Sequence, residues 1–366
     1  MKNFKEIQGS HYKIGYEVGK YWGDYFQKYK KNKGQDQQEA VIKKYLKDLI
    51  SHKWNRELEP LLENTMKHFP DIIYEIAGME KGVTESGLRT SLMSMFELSL
   101  GETGDESCHC SSIVAKTKKG FIMGTNDEDD DVYPLLFAKV SLENGKSSKR
   151  FASISHPFQL FGSAAGMNKQ IAFQGNSIGF SDDVYQKLKK SWNLRIPKTV
   201  LSRKMLEMDN IDEVKSLLES CHTTLPNHHY VISHDRAFSV DVVPKLDNIE
   251  RSKGNTIKII EIKDRHFHTN HFIEGKGSRR KSYLTGETWK WSRAEDCNDS
   301  EDRFMKLEVE TNNPLNYESV KKILQDLARE YDDRTSASIF FKMSKRAAYC
   351  ESSFYYDKIC DISVDL

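Results

Sequence analysis

Glu106-Ser107-Cys108-His109-Cys110-Ser111-Ser112-Ile113-Val114 is the stretch at which the chain changes character. Ahead of it apolar residues recur with helical spacing, and behind it they fall into short runs or alternate with period two. A polar stretch that ends in a cysteine followed by small hydroxyl residues reads as a chain that cuts itself to expose a nucleophile. Such a cut leaves Cys110 as a new N-terminus, with thiol and α-amine on one residue. With a pKa near ~8 the amine can take the thiol proton directly or through water, so no Ser/His/Asp set is required. The plainer reading of the same residue is a small buried cysteine that opens a strand.

Toward the N-terminus, Ile14, Val18, Trp22 and Phe26 lay one stripe along a helix. A second helix is predicted over 39–53, with 30–38 an exposed linker rich in Lys and Gln. Pro60 and Pro70 punctuate the next stretch, and 72–79 and 92–96 read as further helices, so the first 107 residues are mostly helical. Toward the C-terminus, strands are predicted at 112–115, 121–123, 136–140, 151–154 and 171–173. Lys119-Gly120 turns the first two into a hairpin, which brings Cys110 and the polar cluster at Asn126 to the same end. Beyond them come a helix over 199–218, strands over 230–243 and 256–262, a helix over 320–331 and a strand over 337–341. Helices, then a block of strands, then both again predict a layered α+β architecture rather than a doubly wound one.

The 366 residues carry 38% hydrophobic and 30% charged side chains, enough for a buried core under a polar surface. With 55 basic against 54 acidic residues, the formal net charge of +1 gives no electrostatic footprint for nucleic acid or an anionic membrane. No leader peptide and no membrane-length apolar run is readable. The six cysteines lack a disulfide-scaffold spacing, so a cytoplasmic location is expected, where a reactive thiol stays reduced.

Several motifs in order resemble the isopenicillin-N acyltransferase family, acyl-CoA:6-aminopenicillanate acyltransferases whose members cut themselves before Cys-Thr-Thr or Cys-Ser-Ser. Upstream stand Gly9-Ser10-His11-Tyr12-Lys13-Ile14-Gly15 with Gly19, and Glu75-Ile76-Ala77-Gly78-Met79 with Gly82. Downstream stand Cys110-Ser111-Ser112, Gly124-Thr125-Asn126, Gly166-Met167-Asn168, His268-Thr269-Asn270-His271-Phe272 and Ser300-x-x-Arg303-Phe304. The same order is similar to the choloylglycine and penicillin V amidases. The resemblance implies a four-layer αββα sandwich of the N-terminal-nucleophile hydrolase type. It also implies a self-cut between His109 and Cys110, giving a helical segment 1–109 and a catalytic segment 110–366 that stay together as one compact domain.

By that resemblance Cys110 is the nucleophile, and Asn270 helps bind the tetrahedral oxyanion, a task suited to a neutral amide N–H. An acidic residue two positions after Asn126 orients the new α-amine. The family has Asp there and this chain has Glu128, so the role falls to Glu128 or, with a one-residue slip, to Asp127 or Asp129. At the cut this chain has His109 where the acyltransferase has Gly. Asn126 and Asn176 are substrate or oxyanion candidates, Asn176 equally a turn-forming residue after a strand. Arg303 either grips a substrate carboxylate or pairs with acidic residues nearby.

The activity expected is hydrolysis or transfer of an acyl group at a linear non-peptide amide or acyl-CoA thioester, through a Cys110 acyl-enzyme. No cofactor is implied, acyl-CoA entering only as a substrate. The expected partners are that small molecule and the two cleaved chains for one another, with a homodimer also admitted. Two other classes compete: a catalytically dead fold relative acting as a binding module, and a metal protein using His228-His229, His266, His268, His271 and Cys108-His109-Cys110. None of these His/Cys pairs has Cys-x-x-Cys or His-x-x-x-His spacing, which argues against metal.

Overall fold

The computed structural model describes residues 4–31, 55–100, 109–128, 134–145, 147–178, 182–246, 249, 254–269, 294–330, 335–345, 347–354 and 362–365. The chain opens with strand β1 (Phe4–Gly9) and helix α1 (His11–Lys31), followed by α2 (Glu59–His68), α3 (Pro70–Glu85) and α4 (Leu92–Leu100). Then come β2 (His109–Thr117), β3 (Gly120–Glu128), β4 (Leu136–Asn144), β5 (Ser147–Ser155), β6 (Ala165–Asn168) and β7 (Ala172–Ser177). Helices α5 (Asp182–Lys189), α6 (Lys198–Met205) and α7 (Ile211–Ser220) precede β8 (Asn227–Ile232), β9 (Ala237–Val243), β10 (Thr256–Glu261) and β11 (Arg265–His268). The chain closes with α8 (Ala294–Glu310), α9 (Tyr317–Glu330), β12 (Thr335–Ser344), β13 (Ala348–Phe354) and β14 (Ile362–Asp365). The second predicted helix, 39–53, lies outside the described residues.

The strands form two sheets. One has eight strands in the order β1-β4-β5-β6-β7-β8-β9-β10, the other six in the order β11-β2-β3-β12-β13-β14. Only the β1–β4 pair is parallel; every other described pair is antiparallel. The sheets stack through a shared core, in which Val114, Phe121, Met123, Ile339 and Phe341 of the six-stranded sheet meet Phe137, Ile154, Met167, Tyr230 and Ile232 of the other. Alternate residues on each strand face outward. Outside the eight-stranded sheet, Val140, Phe151, Phe173 and Val231 pack under α1, α3, α4, α6 and α7. Outside the six-stranded sheet, Ile113, Ile122 and Phe340 pack under Leu307 of α8 and Val320, Leu324 and Leu327 of α9. The result is an α+β sandwich with helices on both outer faces.

The two glycine-bearing N-terminal motifs have a packing cause. Helices α1 and α3 lie backbone to backbone: a Cβ on Gly19 would collide with the Met79 carbonyl oxygen, and one on Gly78 with that of Tyr12. The predicted stripe Ile14, Val18, Trp22 and Phe26 is buried as expected, at 2% exposure or less. Beside it a fully buried Arg203 pairs with Glu75 at 2.8 Å and Glu207 at 3.0 Å, and His11 Nδ1 lies 2.7 Å from Glu75. This network ties α1 and α3 to α6, across the proposed cut.

Two predicted elements are each split. The single helix expected over 199–218 is α6 and α7, because Asn210 takes extended backbone and its side chain accepts the Glu213 N–H at 2.9 Å, capping a new helix. The single strand expected over 230–243 is the hairpin β8–β9, turned at 233–236, where Ser233 Oγ accepts the Arg236 N–H.

Candidate active site

Cys110 sits near the start of β2, next to the middle of the six-stranded sheet. The turn at Lys119 sets the register: Thr117 pairs with Gly120, and counting back along both strands brings Cys110 opposite Asp127 and His109 opposite Glu128. Residues directly opposite in an antiparallel pair share a face. Cys110, Ser112 and Val114 therefore face the gap between the sheets together with Asp127, Thr125 and Met123. Ser111, Asn126 and Glu128 face the outer helices.

The two faces have different chemistry. On the outer face Arg303 of α8, 1% exposed, donates from one nitrogen, Nη1, to Glu128 Oε2 (2.7 Å), Ser111 Oγ (2.7 Å) and the Cys110 carbonyl oxygen (2.9 Å). Arg303 thus holds a carboxylate of this chain that lies 175 residues away in sequence. Asn126 is committed on the same face, donating to the Leu324 carbonyl at 2.9 Å and accepting from Ser338 Oγ at 2.6 Å. Neither side chain stands on the thiol's face.

On the inner face the half-buried Cys110 thiol is pushed up to about 12, by burial first and then by the Asp127 and Glu128 carboxylates. The Glu128 backbone N–H, which hydrogen-bonds the sulfur, and Arg303 offset this only in part. A thiol so placed is almost wholly protonated near neutrality, so it attacks a carbonyl only if a base takes its proton as it does so. Asp127 Oδ2 in turn lies 2.9 Å from His156 Nε2. Asp127 was reachable from the sequence through strand parity. His156 was not: Ser155-His156-Pro157 signals only a turn after a strand.

Further along the same gap runs a buried polar chain. Ser112 Oγ donates to Asn176 Oδ1 (3.0 Å), and Asn176 Nδ2 donates to the Thr269 carbonyl (3.0 Å). Asn176 is fully buried and bridges the two sheets. Asn270, Cys108, His271 and Asp129 lie outside the described residues, as does the side chain of His109.

The metal alternative can be tested on geometry. His228, Asp241 and His268, all buried, offer donor atoms within 4.8 Å of one another. The two imidazoles, however, stack face to face, 3.7 Å apart and 6° from parallel. Their in-plane lone pairs run side by side and do not converge on one ion unless a ring turns. Burial also pushes Asp241 up to about 7, with Lys258 opposing, and holds His228 well below the usual imidazole range. These donors form a weakly charged polar core. A second group, His11, Asp71 and Glu207, has its carboxylates on Lys204 and Arg203.

A family model for acyl-coenzyme A:6-aminopenicillanic acid acyl-transferase matches residues 116–347, beginning within β2 six positions after Cys110. Among curated proteins none matches the chain. Among solved structures, one match is to the Caenorhabditis elegans ortholog of N-acylethanolamine-hydrolyzing acid amidase, at 13% identity and a TM-score of 0.43, over 63% of this chain and 92% of that one. No described helix is long and apolar enough to cross a membrane.

Proposed function

Because the chain belongs to the acyl-coenzyme A:6-aminopenicillanic acid acyl-transferase family, we propose that it is a self-cutting cysteine enzyme that takes an acyl group from a small amide or acyl-CoA thioester onto Cys110. The observation that carries this reading is the placement of Cys110: a protonated thiol at the start of an inner strand, with a carboxylate directly opposite on its own face. In the first step Cys110 Sγ attacks the His109 carbonyl carbon. The His109–Cys110 amide bond breaks as a thioester forms, and the freed nitrogen becomes the Cys110 α-amine. Water then hydrolyses the thioester, leaving a carboxylate on His109.

In turnover the α-amine takes the thiol proton, and the sulfur attacks the substrate carbonyl. The ammonium returns a proton to the leaving amine or thiolate, and water or an acceptor amine releases the acyl group. Asn270 is the oxyanion donor by resemblance. Asp127 suits the role of holding the ammonium, since Glu128 is occupied by Arg303 on the other face. Arg303 fixes the Cys110 carbonyl and so the start of the strand.

Intact-mass measurement and N-terminal sequencing test the reading. Wild type is expected as two chains, the larger beginning Cys-Ser-Ser, and brief exposure to acyl-amide and acyl-CoA panels adds one acyl mass to it. Cys110→Ala is expected to stay a single inactive chain, and Asn270→Ala in already processed enzyme to lower kcat by roughly a hundredfold with little change in KM. A single, uncut, acyl-free wild-type chain points instead to a binding module that kept the fold.

A further inference from the structure

We propose that His156 is a positioning residue of this site: it holds the Asp127 carboxylate against the Cys110 thiol and, after the cut, against the Cys110 α-amine. The inference rests on the proposed acyl-transfer function and adds a residue that neither the motifs nor the family match assigns.

Four observations converge on it. Asp127 is the residue directly across from Cys110, on the same face, and after burial it is the largest influence on the thiol, ahead of Glu128. Glu128 is engaged on the opposite face by Arg303 at 2.7 Å and by Ser111 at 3.2 Å, so Asp127 is the carboxylate that faces the sulfur. His156 Nε2 lies 2.9 Å from Asp127 Oδ2, while its Nδ1 is 3.4 Å from Ser163 Oγ. An ionised carboxylate only accepts, so Nε2 carries the hydrogen and donates.

The fourth observation is the turn that carries His156. Ser155 Oγ donates to the carbonyls of both His156 and Gln159, and the Gln159 N–H donates to the His156 carbonyl at 3.1 Å. Two residues on, Phe158 adopts φ 62°, a left-handed conformation that is unfavourable for a bulky side chain. It is held there by complete burial and by stacking on Phe26 of α1, ring centroids 5.1 Å apart. Strain of this kind persists only where the surroundings fix it, and it clusters where a side chain must be aimed. Here it carries the imidazole that meets the carboxylate directly opposite the nucleophile.

In the cut enzyme the proton account closes. The thiol proton moves to the α-amine, the resulting ammonium donates one N–H to Asp127, and His156 donates to the same carboxylate from the other side. Without His156 the carboxylate can rotate away, and the amine loses its orientation toward the sulfur. A displacement of about 1 Å at such a site costs up to a hundredfold in rate.

The test compares wild type, His156→Ala and His156→Gln, the glutamine amide N–H standing in for Nε2–H. Each is purified, checked for cutting by intact mass, and assayed for release of nitroaniline from a short-chain acyl p-nitroanilide. His156→Ala is expected to lower kcat tenfold or more with KM within twofold, and His156→Gln to restore kcat to within about threefold. The inference is overturned if processed His156→Ala turns over within twofold of wild type. It is equally overturned if glutamine restores the melting temperature but not kcat, since the imidazole would then act by something other than the N–H it donates to Asp127. Should wild type itself stay uncut and form no Cys110 thioester, the enzymatic reading fails, an outcome distinct from either of these.

Discussion

Breaking the Arg303–Glu128 pair should cost far more than deleting it whole. Both side chains are 1% exposed, and Nη1 and Oε2 stand 2.7 Å apart. At an effective dielectric of about 20 their attraction is about 6 kcal/mol, and withdrawing the two charges from water costs several kcal/mol each. The intact pair therefore nearly balances, whereas removing one member leaves a buried charge that has lost its counter-charge, a loss of about 3–5 kcal/mol. The measurement belongs in a Cys110→Ala background, where the uncut chain separates folding from processing. Urea unfolding followed by tryptophan fluorescence reports the core, since Trp22 and Trp192 are both buried. Arg303→Met and Glu128→Gln should each destabilise by about 3 kcal/mol or more, and the double variant by less than either single variant. A loss below about 1 kcal/mol for Arg303→Met, or simple additivity, would refute the reasoning and release Arg303 for a direct role toward substrate.

Packing and titration each give one further expected outcome. Gly19→Ala or Gly78→Ala places a Cβ into a facing carbonyl oxygen, so α1 and α3 must separate; each should lower the melting temperature by several degrees, with no soluble protein as the extreme result, and unchanged melting would remove the close-packing argument. Asp241 is held up to about 7 when folded, against the ordinary 3.8, so between those values the folded state binds more protons than the unfolded one and stability falls as pH rises through that window. Asp241→Asn should accordingly stabilise the protein at pH 8 by roughly 2–4 kcal/mol and leave it nearly unchanged at pH 4, and equal effects at both would contradict the burial argument.

The parts of the fold that were legible are those set by near neighbours. The α1 stripe needs only its own period, and the β2–β3 hairpin only its Lys119-Gly120 turn. The split of 199–218 was hidden because the apolar period runs on past Met205 to Ile211, and the interruption is a single asparagine cap. Strand β1 was hidden for another reason. Only Ile7 of its six residues is buried, as befits an edge strand, and what makes it a strand is parallel pairing with β4 more than 130 residues away. The stacking of the two sheets came from the resemblance to a family, because the pairings that build each sheet join segments as distant as β3 and β12.

The same division runs through the site, and it decides between Asp127 and Glu128. A motif counted from Asn126 selects Glu128, since it measures distance along the chain. A strand, however, sorts its side chains by parity, and once the hairpin fixes Thr117 opposite Gly120, every odd-numbered residue of β3 shares a face with an even-numbered residue of β2. Cys110 is even and Asp127 odd, so they meet, and Glu128 is carried to the other side with Ser111. The turn alone is enough to settle that much. It cannot dictate that the displaced Glu128 finds Arg303, or that Asp127 finds His156, because those partners arrive from α8 and from the turn after β5. Chain-local geometry thus chooses which carboxylate faces the thiol, and tertiary packing supplies the cation on one face and the imidazole on the other.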